Sequence, residues 1–248
     1  MKKVNINKIS KKGKVFILAY DQGMEHGPTE FNDENVDPAY IIDIANKLKV
    51  TGIAVQKGIA EKYRQQIKVP LIVKLNGKTN LLRSDPISYQ LCSVKEAIAL
   101  KAAAVGYTIY IGSLHEEEMM KEFSKIQEEA HAAGLPVLLW AYPRGQGTEG
   151  KTPEELLAYS ARVALELGAD MVKLQPAGNE SSLKWAVKAA GKTKVLFAGG
   201  NKVDEQQVIQ TVKSQMALGA SGIAIGRNIW KSSKPIEIGK ALMKVVLK

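Results

Sequence analysis

Residues 137–175 read VLLWAYPRGQGTEGKTPEELLAYSARVALELGADMVKLQ. The stretch opens on an apolar run at 137–142 and closes on a second at 171–175. Neither run alternates apolar and polar residues as a strand with one wet face does, so both read as strands covered on the outside. Between them Thr152 is placed to cap a helix, Pro153 falls at its first position, and Glu155 completes a capping box. Leu157, Ala161, Ala164 and Leu167 then share one helical face, and Gly168 stops the helix a few residues before the next strand. The result is a strand, helix, strand unit, and such a crossover joins parallel strands.

The same alternation recurs on both sides. Apolar runs at 15–20, 52–56, 71–75, 104–111, 195–198 and 222–225 join the two above, separated by Ala-, Glu- and Lys-rich amphipathic stretches ending at Gly or Pro. Eight strand and helix units in 248 residues predict a single-domain (β/α)8 TIM barrel spanning 1–248. A doubly wound sheet would carry a phosphate fingerprint after its first strand, whereas DQGMEHGP at 21–28 contains no GxGxxG. The barrel is expected to begin near residue 15, with 1–14 as a basic segment carrying Lys2, Lys3, Lys8, Lys11, Lys12 and Lys14 on a solvated surface.

Composition narrows the function classes. With Cys92 alone, neither an intramolecular disulfide nor a thiolate metal cluster can form, which fits a reducing, cytoplasmic setting. The early apolar run is far shorter than the ~18–20 residues of a membrane span. Thirty-five basic residues against 25 acidic ones leave a charge of +10, but the lysines are dispersed and aromatics make up only 6%, so no stacking platform for nucleic acid exists. A basic protein of this kind instead attracts small phosphorylated anions. Only His26, His115 and His131 are present, none spaced with another as a ligand pair, and no metal or cofactor is expected.

In a TIM barrel the carboxyl ends of the strands face the active site, so polar residues ending apolar runs are the candidates. They are Asp21, Lys57, Lys74, Trp140, Tyr142, Arg144 and Lys173. Lys173 is enclosed in Met-Val-Lys-Leu; burial there would lower its proton affinity and free an amine to attack a carbonyl and form a Schiff base. Lys57 and Lys74 also sit where strands end, and a structural lysine paired with a carboxylate remains an alternative for each. Tyr142 suits proton transfer or a core position, and Asp21 could move a proton, hold an ammonium or cap a helix. The last two strands run into Ala198-Gly199-Gly200-Asn201-Lys202 and Gly226-Arg227-Asn228, each before a helical segment, where barrel phosphate sites recur. Arg144, in Pro-Arg-Gly, offers a forked donor for a second phosphate.

YDQGMEHGP, KLNGKT, GYTIY, WAYPRG, the strand lysine at 173 and GASGIAIGRN occur in one order. Together they resemble the archaeal-type class I fructose-1,6-bisphosphate aldolases of the DhnA-like family, over roughly Phe16 to Trp230. The resemblance implies a metal-independent lyase that reversibly splits fructose 1,6-bisphosphate into dihydroxyacetone phosphate and glyceraldehyde 3-phosphate through a Schiff base, in a homo-oligomer that in the family is a decamer. It implies Lys173 as the Schiff-base lysine, Tyr142 as general acid and base, Trp140 shaping the pocket, and Asp21 near the substrate carbonyl. Ala198, Gly199, Gly200, Lys202, Gly226 and Arg227 would hold one phosphate, while Gln22, His26, Glu30 and Arg144 would contact the rest of the sugar phosphate. Gln22 stands where many relatives have histidine, and Leu174-Gln175-Pro176-Ala177-Gly178 replaces the pattern expected after the lysine. Related chemistries are a 2-amino-3,7-dideoxy-D-threo-hept-6-ulosonate synthase and a sugar-phosphate thiolase; YDQGMEHGP and KLNGKT favour the aldolase.

Overall fold

The computed structural model describes residues 3–200 and 203–248. Eight parallel strands close into a barrel with every strand beside its sequence neighbours. They are β1 (Val15–Tyr20), β2 (Gly52–Gln56), β3 (Leu71–Lys74), β4 (Ala104–Ile111), β5 (Val137–Pro143), β6 (Met171–Leu174), β7 (Lys194–Ala198) and β8 (Gly222–Ile225). The outer helices are α1 (Pro38–Leu48), α2 (Lys57–Lys62), α3 (Val94–Ala99), α4 (Glu116–Ala132), α5 (Pro153–Glu166), α6 (Glu180–Ala189), α7 (Glu205–Ala217) and α8 (Pro235–Val246). None of the described helices is long and apolar enough to cross a membrane.

Local chemistry accounts for the units as expected. Thr152 Oγ1 accepts from the Glu155 amide while the Glu155 carboxylate accepts from the Thr152 amide, so the capping box of α5 is closed in both directions. Its apolar face, with Leu157, Ala161 and Ala164 buried, packs on the barrel. Strand boundaries move by one residue in places: β3 and β6 stop before Leu75 and Gln175, β5 includes Pro143, and β7 starts at Lys194. Two residues beyond β3, Asn76–Gly77 pairs antiparallel with Tyr89–Gln90, a small hairpin that the apolar pattern did not announce.

The pleat sorts each strand into two faces. Outward residues such as Phe16, Leu18, Val55, Val73, Tyr107 and Leu139 form the larger core under the helices. Inward residues Val15, Ile17, Ala54, Ile72, Ala104, Leu138, Met171, Leu196 and Ala224 fill the barrel, joined by Trp140 and by Ile9. Lys3, Lys8, Lys11 and Lys12 are exposed, but Ile9 is fully buried in the amino end of the barrel. Lys14 secures the closure by donating to the Ala220 carbonyl at 3.1 Å.

The upper part of the interior is shaped by one small residue. A Cβ placed on Gly106 would lie 2.2 Å from Trp140 Cζ3, so the indole of β5 can cross over β4 only because residue 106 has no side chain. Gly106→Ala is expected to destabilise the fold by roughly 1–3 kcal/mol through overpacking and to displace the indole. Denaturant unfolding together with tryptophan emission checks this; an unchanged midpoint and spectrum would contradict it.

Candidate active site

Continuing the inward rows past the apolar layer gives a cavity of about 220 Å³ at the carboxyl ends of the strands. Ala19 and Asp21 continue Val15 and Ile17; Gln56 continues Ala54; Lys74 continues Ile72; Thr108 and Tyr110 follow Ala104 and Gly106. Trp140, Tyr142 and Arg144 follow Leu138; Lys173 and Gln175 follow Met171; Ala198 and Gly200 follow Leu196; Gly226 follows Ala224. All of these line the cavity.

Of the residues singled out in the sequence, Asp21, Gln22, His26, Trp140, Tyr142, Arg144, Lys173, Ala198, Gly199, Gly200, Gly226 and Arg227 meet here. Glu30 does not line the cavity; its carboxylate is held by Lys231 Nζ at 2.6 Å and lies 3.9 Å from Arg227 Nη1. Lys202 lies outside the described residues. Lys57 starts α2 with its side chain paired to Glu96 on the outer surface, so it is removed from the contest between lysines. Lys74 and Lys173 both enter the cavity, each with Nζ 5.5 Å from the centroid of the Trp140 ring.

The two lysines differ in their neighbours. Burial works against the Lys173 ammonium, yet the neighbouring Tyr142 oxygen and the Asp21 carboxylate outweigh burial and hold the amine above the ordinary lysine value. That corrects the expectation that burial lowers Lys173. Lys74 is where burial prevails over the opposing charges of Asp21 and Glu25, and its value falls to about 8. Burial pushes the Tyr142 phenol up despite the opposing charge of Lys173, so the phenol is neutral at neutral pH. Tyr142 and Lys173 interact electrostatically, with Nζ 5.9 Å from the ring centroid.

A second corner holds the cations Arg144 and Lys78 together with His26. The Arg144 guanidinium stacks 5.4 Å from the Tyr110 ring and 5.6 Å from the Tyr142 ring, and pairs with Glu25. Glu25 also accepts from Tyr110 Oη at 3.2 Å. Burial pushes the Glu25 carboxyl up, but the charge and hydrogen bond of Arg144 outweigh it and hold the group below the usual carboxylate value. Burial pulls His26 down in spite of Glu25, leaving a neutral imidazole. Lys78 and Tyr110 were not singled out in the sequence, although Tyr110 falls on the inward row of β4 and Lys78 lies in KLNGKT.

On the opposite side, two glycine turns approach each other. Asn228 Nδ2 donates to the Gly199 carbonyl at 2.7 Å and its Oδ1 accepts from the Val203 amide at 2.9 Å, tying the loop after β7 to the loop after β8. Gly200 has φ of +64°, and a Cβ on Gly226 would lie 2.4 Å from the Ala19 carbonyl oxygen, so both turns require glycine. Among the described residues no group of three or more His, Cys, Asp or Glu side chains is arranged to hold a metal ion.

Residues 15–232 match the model of the DeoC/LacD family aldolases. The chain is 45% identical over 240 residues to a protein of Thermoproteus tenax named fructose-bisphosphate aldolase class 1, covering 96% of this chain and 91% of that one. A protein of the same name from Halobacterium salinarum is 43% identical over 242 residues, covering 96% and 92%. Among solved structures, an archaeal fructose-1,6-bisphosphate aldolase with its catalytic lysine bound to the carbinolamine intermediate superposes with a TM-score of 0.93 at 43% identity, covering 98% of each chain.

The lowered value of Glu25 makes a prediction about acid stability. A carboxyl whose folded value lies below its ordinary 4.5 contributes stability above that pH and loses it as pH falls through the folded value. Glu25→Gln is expected to cost roughly 1–3 kcal/mol at neutral pH and to flatten the loss of stability between about pH 5 and 3. Denaturant titrations at several pH values check this, and parallel curves for the two proteins would contradict it.

Proposed function

The chain belongs to the DeoC/LacD family of aldolases, and from that premise we propose that it is a class I fructose-1,6-bisphosphate aldolase in which Lys173 forms the Schiff base. The observation that carries the assignment of Lys173 is its position: a buried amine on the inward row of β6, with Tyr142 and Asp21 beside it. Relatives at 43–45% identity over nearly the whole chain bear the aldolase name, which favours this reaction over the synthase and thiolase alternatives.

The chemistry follows from the neighbours. Lys173 rests as an ammonium and must lose a proton before attack; Asp21, within electrostatic reach of both Lys173 and Tyr142, takes it. The amine adds to the C2 carbonyl, an N–H proton passes to the former carbonyl oxygen, and that hydroxyl leaves as water with the proton held by Asp21. The protonated imine is then an electron sink. When the C3–C4 bond breaks, its electron pair enters the imine to give an enamine. The proton of the C4 hydroxyl leaves through Tyr142, which relays it to Asp21, and C4 becomes the aldehyde. Returning that proton to C3 regenerates the imine, and water releases dihydroxyacetone phosphate and the lysine.

Phosphate contacts at both ends hold the C3–C4 bond in register with the lysine. The backbone around Gly199, Gly200 and Gly226, with Arg227 and, beyond the described residues, Lys202, takes the phosphate nearest the imine. Arg144 and Lys78, with His26, take the other. Gln22 and Gln175 line the space between and set which sugar fits. Trp140 forms the wall behind the imine, and Glu30 acts at one remove, by holding Arg227 and Lys231 in place.

The same proposal includes a cytoplasmic homo-oligomer working without cofactor or metal, with residues 1–248 acting as one catalytic unit in glycolysis or gluconeogenesis. Trp185 on α6 and Tyr159 on the adjacent α5 are exposed, which supports association between copies.

Cleavage of fructose 1,6-bisphosphate in excess chelator tests the reaction. Full activity is expected, and absence of turnover, or activity lost with the chelator, would contradict it. Lys173→Met is expected to lower kcat by roughly 10⁴-fold or more. Tyr142→Phe is expected to lower it roughly 10²- to 10⁴-fold, while retaining adduct formation with the ketone. A Tyr142→Phe enzyme of nearly normal turnover would remove the phenol from proton transfer.

A further inference from the structure

Among the described residues, Lys74 is the one buried ammonium of the cavity that the reaction as proposed leaves unused. Its side chain is 5% exposed, and it stands on the inward row of β3, in register with Gln56 of β2 and Gly106 of β4. Among the described residues its Nζ makes a single long hydrogen bond, 3.3 Å to the Asn76 carbonyl, an oxygen that already accepts from Gln56 Nε2 at 3.1 Å. Among the described residues no carboxylate lies within ion-pair distance of it. An ammonium carries three donors, so at least two are left facing the cavity. Trp140 Nε1, on the same wall, is likewise buried without an acceptor. Donors left unpaired in a buried polar site cost stability unless a ligand supplies the acceptors.

The order of strands around the barrel says which part of a substrate they meet. The glycine turns stand on β7 and β8, Lys173 on β6, Tyr142 and Trp140 on β5, and Lys74 two strands further on β3. A sugar phosphate anchored at the glycine turns and joined to Lys173 through C2 therefore extends toward β5, β4 and β3, so its atoms beyond C3 approach Lys74. The floor between is formed by the Trp140 indole, which crosses over Gly106 because that residue has no side chain.

We propose that Lys74 is a substrate-contacting residue of the cleavage step, donating a hydrogen bond to the oxygen on C4, the hydroxyl that becomes the aldehyde oxygen. The inference rests on the aldolase reading above. In cleavage the ammonium steadies negative charge on this oxygen while its proton leaves through Tyr142; in condensation it polarises the aldehyde carbonyl. Lys74 itself neither gains nor loses a proton. The ketone half of the reaction contains no C4 oxygen, so it does not need Lys74.

The test separates the two halves in Lys74→Met and Lys74→Arg. For Lys74→Met the expected result is a kcat for fructose 1,6-bisphosphate lowered roughly 10²- to 10³-fold. Borohydride trapping of dihydroxyacetone phosphate and exchange of its C3 proton with solvent should stay within about threefold of wild type, which also shows that the variant is folded. Lys74→Arg should recover part of the cleavage rate. Cleavage by Lys74→Met at the wild-type rate, or trapping and exchange lost in step with cleavage, would overturn the proposal; the second result would make Lys74 a support of Lys173. Wild-type protein that traps the ketone but never cleaves the bisphosphate would instead remove the underlying aldolase reading, and this proposal with it.

Discussion

Each strand of a closed parallel barrel must turn every second side chain into a space it shares with seven other strands. That constraint governs the whole molecule. At the amino end the inward positions hold Val15, Ile17, Ala54, Ile72, Leu138, Met171 and Leu196, and Ile9 seals the layer from below. Two residues higher the same rows deliver Gln56, Lys74 and Lys173, and four residues higher Asp21 and Tyr142. The chemistry sits on a floor that cannot move without breaking the barrel, which is why its groups stay within reach of one another.

Electrostatics then decides what that upper layer can do. Lys74, Lys78, Arg144, Lys173 and Arg227 enter the cavity against Asp21 and Glu25, an excess of positive charge suited to a ligand with an anionic group at each end. The excess is not uniform. Glu25 satisfies Arg144 at one end, Glu30 satisfies Lys231 and reaches Arg227 at the other, and Asp21 stands between. Lys173 is consequently an amine kept protonated by its partners rather than one stripped of its proton by burial. Its reactivity depends on handing that proton to a neighbour, and this ties the lysine to Tyr142 and Asp21 as one unit.

Much of this was legible in the sequence. The eight apolar runs and the Thr152 to Glu155 capping box are local signals, and local signals survive folding. The parity of the rows was also present: Lys173 is two residues from Met171 and Lys74 two from Ile72, whereas Lys57 is three from Ala54 and so must point outward. Tyr110 could have been found the same way, from Ala104 by steps of two. Other features had no sequence signal. The pairing of Glu25 with Arg144 joins residues 119 apart, and Asn228 binds Gly199 across two loops. The sign of the shift at Lys173 depends on which charges the barrel brings to it. Ile9 was hidden among lysines, where composition outweighed a single apolar residue.

The account turns on Lys173, rather than the equally buried Lys74, being the nucleophile. The direct measurement is reduction of the protein with borohydride in the presence of dihydroxyacetone phosphate, followed by peptide mass mapping. A single adduct on Lys173, with Lys74 unmodified, is the predicted result. An adduct on Lys74, or one divided between the two lysines, would contradict the assignment and move the proton relay away from Tyr142 and Asp21.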